Sequence, residues 1–146
     1  MSILFSRQCE YALRAVLYLA VWPPQELVPI KEVAKVLRIP TPFLAKIFQD
    51  LSRKKILSSR KGPRGGFRLG LPAKDITLFH IVEAIDGVAF MHNCIMGFPK
   101  CSNNKPCPVH TQWGANRESI YQMLVKKNID QLVKDIQVKP EYRKPS

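Results

Sequence analysis

Apolar residues recur at helical spacing over most of the chain and change rhythm in only a few places. Leu13, Val16, Leu17 and Ala20 form a first stripe, with Ser6 as a candidate N-cap and Pro23-Pro24 as a stop, so a helix is expected from about Ser6 to Val21. Ile30, Val33, Ala34 and Leu37 follow the i, i+3, i+4, i+7 rule and leave Lys31, Glu32 and Lys35 outward, which predicts a short second helix. Ile39-Pro40 breaks that pattern. Thr41 then offers an N-cap, Pro42 suits the first helical position, and Leu44, Ile47, Phe48 and Leu51 repeat the spacing. Two short helices joined by a tight turn make a helix-turn-helix candidate.

From Lys55 to Leu71 the period shortens. Ile56-Leu57-Ser58-Ser59 and Phe67-Arg68-Leu69 flank Gly62-Pro63-Arg64-Gly65-Gly66, the composition of a β-hairpin and its turn, here read as a wing. Thr77 is placed to cap a helix through Asp86 that carries Leu78, Ile81, Val82 and Ile85 and stops at Gly87. Between Val88 and Thr111 there is no periodicity, so this long loop must be ordered by something other than packing. Trp113, Ile120, Met123 and Leu124 mark a helix to about Lys127, and Ile129, Leu132, Val133 and Ile136 a shorter one. The end from Lys139, with Pro140 and Pro145, reads as a flexible tail. The expected fold is therefore mainly α with a small β-hairpin wing.

Charge narrows the partners. The chain of 146 residues carries 23 Lys and Arg against 11 Asp and Glu, a formal +12, and such an excess favours polyanions through counterion release. Seven cations and no acid lie between Arg53 and Arg68: Arg53, Lys54, Lys55, Arg60, Lys61, Arg64 and Arg68. Basic charge is thus concentrated on the hairpin and the helix before it, where a winged helix meets DNA. Arg7 and Glu10 interrupt the opening and Arg14 the apolar stretch after it, so neither a signal peptide nor a membrane span is expected, and the cytoplasm is the expected location. In that reducing setting cysteines serve as thiolates rather than disulfides.

Three of the four cysteines crowd together as Cys94-x6-Cys101-x5-Cys107, with His110 shortly after. Soft donors so close imply a metal or a metal-sulfur cluster, which would also order the aperiodic loop. The spacing itself decides little: structural zinc sites usually show a shorter knuckle, whereas wider spacings can wrap a larger cluster. Cys9, on the first helix, reads as a small buried apolar residue. His80 and His92 are weaker ligand candidates. Phosphate-binding glycine loops, Ser/His/Asp arrangements and paired carboxylates do not stand out, which argues against an enzyme.

Taken in order, Tyr11-Ala12-Leu13 in an opening helix, the helix-turn-helix, the wing Gly62-Pro63-Arg64-Gly65-Gly66-Phe67, the helix end Ile85-Asp86-Gly87 and the cysteine loop resemble the Rrf2 family of bacterial winged-helix regulators, to about Val133. The resemblance implies a homodimer whose helix from Trp113 to Lys127 packs against its twin and sets two winged domains on a palindromic DNA operator. It implies a winged helix-turn-helix domain at 1–87, a cluster-binding loop at 88–111, a dimerisation helix region at 112–137 and a tail at 138–146. It also implies an iron-sulfur cluster, 2Fe-2S or 4Fe-4S, that senses redox state, nitric oxide or iron status and controls operator affinity. Cys94, Cys101 and Cys107 would be its ligands. His110 matches the position of a histidine ligand in the 2Fe-2S relatives, whereas Glu10 stands where other relatives present an acid across the dimer, and both remain candidates. The spacing between Cys94 and Cys101 is one residue longer than in the 2Fe-2S pattern. The alternative is a DNA-binding protein with a structural zinc.

On the helix from Thr41 to Arg53 the apolar stripe leaves Thr41, Pro42, Ala45, Lys46, Gln49 and Arg53 outward, and residues near the start of such a helix reach base edges. Lys46 is suited to guanine and Gln49 to adenine. Ala45 replaces an acidic residue of some cluster-binding relatives. Arg60, Lys61, Arg64 and Arg68 are expected on phosphates, with Arg64 at the wing tip near the minor groove.

Overall fold

Ser6 opens the first helix as its chemistry demands. The computed structural model describes residues 4–99 and 104–143. In it α1 spans Arg7–Ala20, and the Ser6 hydroxyl accepts the Cys9 N–H at 3.0 Å, satisfying one of the orphan donors of the first turn. The Asp86 carboxylate in turn accepts from the Ser6 N–H at 2.8 Å and from its hydroxyl at 2.5 Å, tying the start of α1 to the end of a helix much later in the chain. Small residues on the buried face, Cys9, Ala12 and Ala15, let neighbouring elements approach α1 closely.

Helix α2 spans Ile30–Leu37 and ends on Arg38 in the left-handed conformation; α3 follows at Thr41–Arg53. The cap of α3 differs from the sequence expectation: Pro40 is the capping residue and Thr41 is already helical, with no side-chain cap. The Ile39 N–H bonds to the Ala34 carbonyl at 3.0 Å and turns the chain early enough for the Pro40 carbonyl to accept from Leu44 at 3.1 Å. Leu44, Ile47, Phe48 and Leu51 are buried, so the stripe read from the sequence is the inner face of α3.

The wing is an antiparallel hairpin of β1, Leu57–Arg60, and β2, Gly66–Leu69, with Ser59 opposite Phe67 and Ser58 opposite Arg68. Phe67 makes backbone hydrogen bonds with Val28, and its ring meets Phe48 edge-on at 4.7 Å, which fastens the wing to α3. Gly66 is required at this junction because a Cβ there would lie 2.6 Å from the Val28 carbonyl.

Thr77 caps α4, Leu78–Asp86, in a reciprocal box: its hydroxyl accepts from the His80 N–H at 3.3 Å and the His80 Nδ1 accepts from the Thr77 N–H at 3.1 Å. His80 thus has a structural role. Helix α5 spans His110–Lys126 and starts earlier than Trp113, since the Val109 carbonyl already accepts from the Trp113 N–H at 2.8 Å. Helix α6, Ile129–Ile136, is capped by Asn128 and folds back onto α1. Its Ile129 is fully buried in the core shared with α1 and α3, and Ile129 and Leu78 bond to Ile76 and Lys127 across the junction, at 2.8 and 3.2 Å. Part of the flexible tail expected after Lys139 is ordered, while residues 144–146 lie outside the described residues. Pro140–Tyr142 form a 3-10 turn and Tyr142 is buried against Tyr18, because one phenol ring supplies enough apolar surface to dock the segment. Among the described residues no helix is long and apolar enough to cross a membrane.

Candidate nucleic-acid interface and thiolate loop

Thr41, Pro42, Lys46, Gln49 and Arg53 are exposed on α3, and Ala45 is half-buried beside them. Asp50, read from sequence only as a member of the helix, organises two of these cations. Its Oδ1 lies 3.4 Å from Lys46 Nζ and 3.3 Å from Arg53 Nη2. Pairs this exposed are weak, so both cations can be redirected to a polyanion at small cost. Phe43 is a second feature that the sequence reading missed: it is 57% exposed in the first turn of α3. Its position off the Leu44, Ile47, Phe48, Leu51 stripe was the available signal.

Arg60, Lys61 and Arg64 are exposed at the end of the hairpin, where the Gly65 N–H bonds to the Gly62 carbonyl at 2.9 Å and closes the turn. Arg68 is different. It is half-buried on β2, donates to the Gln25 carbonyl at 3.3 Å, and lines a groove of about 1060 Å³ with Trp22, Leu69 and Lys74. The four cations assigned to phosphates therefore divide into three at the wing tip and one held at its base.

The loop after α4 begins with Gly87 at φ 74° and a 3-10 turn at Ala89–Met91. Cys94 is nearly buried and starts a turn closed by the Gly97 N–H on its carbonyl at 3.0 Å. Burial acts to raise the pKa of its thiol. The Met96 N–H, the Cys107 thiol and the N–H groups of Phe98 and Gly97 act the other way, and together they hold it below the ordinary cysteine value. Cys107 is half-buried, and its carbonyl accepts from the His110 N–H at 3.1 Å, so His110 follows Cys107 by one turn. Cys101 lies outside the described residues. Glu10 is half-buried in the first turn of α1. Among the described residues Cys94 and Cys107 are brought together, and no group of three His, Cys, Asp or Glu side chains is assembled to hold a metal. His92 is exposed.

Cys9 is fully buried with Val82 and Leu124. Burial first, then the nearby charges of Asp86 and Glu10, push its pKa up to about 12, so it is a protonated apolar residue as the sequence suggested. Along α5, Leu124 and Ile120 face this same cluster, whereas Met123 is exposed.

The profile of the Rrf2 family, described as an iron-dependent transcriptional regulator, matches residues 5–135. A protein of Aquifex aeolicus named as an HTH-type transcriptional regulator is 37% identical over 133 residues, covering 90% of this chain and 92% of that one. The transcriptional regulator IscR of Vibrio campbellii is 29% identical over 129 residues, covering 88% and 76% respectively. Among solved structures, CymR, the global cysteine regulator of B. subtilis, superposes with a TM-score of 0.76 at 18% identity, over 90% of this chain and 95% of its own. IscR of T. potens does so with a TM-score of 0.71 at 21% identity, over 92% and 88%. These likenesses bear out the winged-helix fold and, being shared by IscR and CymR, do not separate the roles those names carry. Relatives and family are regulators rather than enzymes. With a profile match over most of its length, this chain belongs to the Rrf2 family of DNA-binding transcriptional regulators.

Proposed function

We propose that this regulator works in the cytoplasm as a homodimer on a palindromic operator, and that an iron-sulfur cluster sets its DNA affinity. The ligands are Cys94, Cys101 and Cys107, with a fourth from His110 or from the partner subunit's Glu10. Donor chemistry suits either a 2Fe-2S or a 4Fe-4S group, since thiolates are the usual ligands of both. The observation that carries the reading is the placing of Cys107 and of a backbone turn at Met96, Gly97 and Phe98 beside Cys94, surroundings that favour its thiolate. Relatives named IscR and the iron-dependent description of the family support it. When bound, such a cluster supplies a centre altered by oxidants, nitric oxide or iron scarcity.

The chain's own residues supply the transmission. The Trp113 indole N–H bonds to the Asn93 carbonyl at 3.0 Å and ties the residue before Cys94 to α5. Helix α5 buries only Leu124 within the subunit and leaves Met123 exposed, which supports packing against a second copy. Its far end reaches the winged domain through the bond from the Leu78 N–H to the Lys127 carbonyl. Ordering or release of the loop would therefore bias α5 and, through it, the spacing of two recognition helices. A differential of a few kcal/mol is enough to move the operator from mostly occupied to mostly free.

The test is anaerobic absorption and Mössbauer spectroscopy of the wild type, Glu10→Ala and His110→Ala, with DNA affinity measured before and after cofactor removal. An iron-sulfur spectrum altered by one substitution identifies the fourth ligand. A colourless protein with stoichiometric zinc would replace this reading with the structural-zinc alternative, and unchanged affinity on cofactor removal would end the sensing proposal.

A further inference from the structure

Phe43 is exposed in a place where exposure has a use. Singly exposed apolar residues are ordinary on protein surfaces, but this one lies in the first turn of the recognition helix, between exposed Pro42 and buried Leu44. At a helical step of about 100° per residue, Phe43 lies on the margin of the outward face, adjacent to Lys46 and on the same side as Asp50. The first turn is the part of such a helix that reaches base edges, and α3 carries no acidic residue there. Within the major groove nearly every feature of a base edge is a hydrogen-bond donor or acceptor, which an aromatic ring leaves unsatisfied. The exception is the C5 methyl of thymine. Ile95, Met96 and Phe98, also large, apolar and exposed, lie on the cysteine loop rather than on α3.

We infer that Phe43 is a specificity-determining residue whose ring packs on the C5 methyl of one thymine in each half-site, beside the base edge that Lys46 contacts. The inference rests on the DNA-binding reading of α3 and adds to it a base identity. The ring contact itself requires no cofactor, and the selection is run on both the cofactor-loaded and the cofactor-free protein so that the state of the thiolate loop does not decide its outcome.

The experiment selects duplexes from a random library with the full-length protein, then replaces each thymine of the selected site in turn by deoxyuridine, which removes one methyl group and preserves pairing. Wild-type protein is expected to lose affinity about fourfold at one thymine per half-site, the size of one buried methyl group. Phe43→Ala is expected to bind the thymine and deoxyuridine duplexes equally, and Phe43→Leu to keep part of the discrimination. An unchanged unfolding midpoint for Phe43→Ala assigns the loss to recognition rather than to folding. Wild-type indifference to deoxyuridine at every position, or equal discrimination by wild type and Phe43→Ala, would overturn the inference and leave sequence-specific binding intact. Failure to enrich any sequence would overturn both.

Discussion

The Trp113 side chain reaches back to the cysteine loop: its indole N–H donates to the Asn93 carbonyl at 3.0 Å, one residue before Cys94. The first turn of α5 and the first thiolate candidate are thereby tied together, although eighteen residues lie between Cys94 and Trp113 in the chain. Trp113→Phe keeps the apolar body and deletes the donor. We expect a loss of about 1 kcal/mol of stability, the usual net value of such a bond, and, on the proposed cluster-binding reading, faster cofactor loss from anaerobically purified protein. Denaturant unfolding and the decay of visible absorbance measure the two; a variant that matches wild type in both would show that the bond transmits nothing.

Asp50 pairs with Lys46 and Arg53 on the outward side of α3, the face proposed to meet DNA. Asp50→Asn removes the acceptor charge, frees both cations and takes a negative charge away from the phosphates. Operator affinity is expected to rise and the slope of log affinity against log salt to steepen by about one. Fluorescence anisotropy across a salt series checks this, and a weaker complex would mean that Asp50 orders the two cations for binding.

The wing makes a paired prediction. Arg64 is exposed at the tip, whereas Arg68 is engaged with the Gln25 carbonyl at 3.3 Å. Arg64→Ala should weaken DNA binding and reduce the salt slope by about one, while Arg68→Ala should leave the slope near wild type and instead loosen the base of the hairpin. Equal slopes for Arg64→Ala and wild type would remove the wing tip from the interface.

Burial keeps Cys9 protonated, with a pKa pushed up to about 12 from an ordinary 9.0. A group whose folded pKa is raised stabilises the fold below its unfolded pKa and loses that contribution as pH climbs, here from 9.0 towards 12. Stability should therefore fall in that window by up to about 1.4 kcal/mol per pH unit from this group, and Cys9→Ala should flatten the fall. Tyr18 and Tyr142 titrate in the same direction, so the quantity to compare is the difference between wild type and Cys9→Ala. At neutral pH Cys9 should resist alkylation in the folded protein.

Tyr142 docks the Pro140–Tyr142 turn against Tyr18, with ring centroids 6.5 Å apart. Tyr142→Ala should cost about 3 kcal/mol, as for other aromatic truncations in a core, and lower the thermal midpoint by several degrees. No change in the midpoint would place the segment outside the cooperative core.

Local chemistry made much of this molecule legible in advance. The caps Ser6 and Thr77, the stripes of α2, α3 and α4, the glycine-rich turn of the wing and the buried character of Cys9 follow from residue spacing, because each depends on neighbours within one or two turns of chain. The basic hairpin likewise points to a polyanion through composition alone, whereas the cysteine spacing names candidate thiolates without fixing what they hold. Tertiary structure decided the rest. Which arginine of the wing is free depended on Gln25, far away in sequence; the partners of Cys94 are a backbone turn and Cys107; and the docking of Ile129 and Tyr142 required α1 to be in place before their apolar surface had anything to meet. Such contacts join residues that periodicity cannot relate, since a stripe says which face is apolar and leaves open what will cover it.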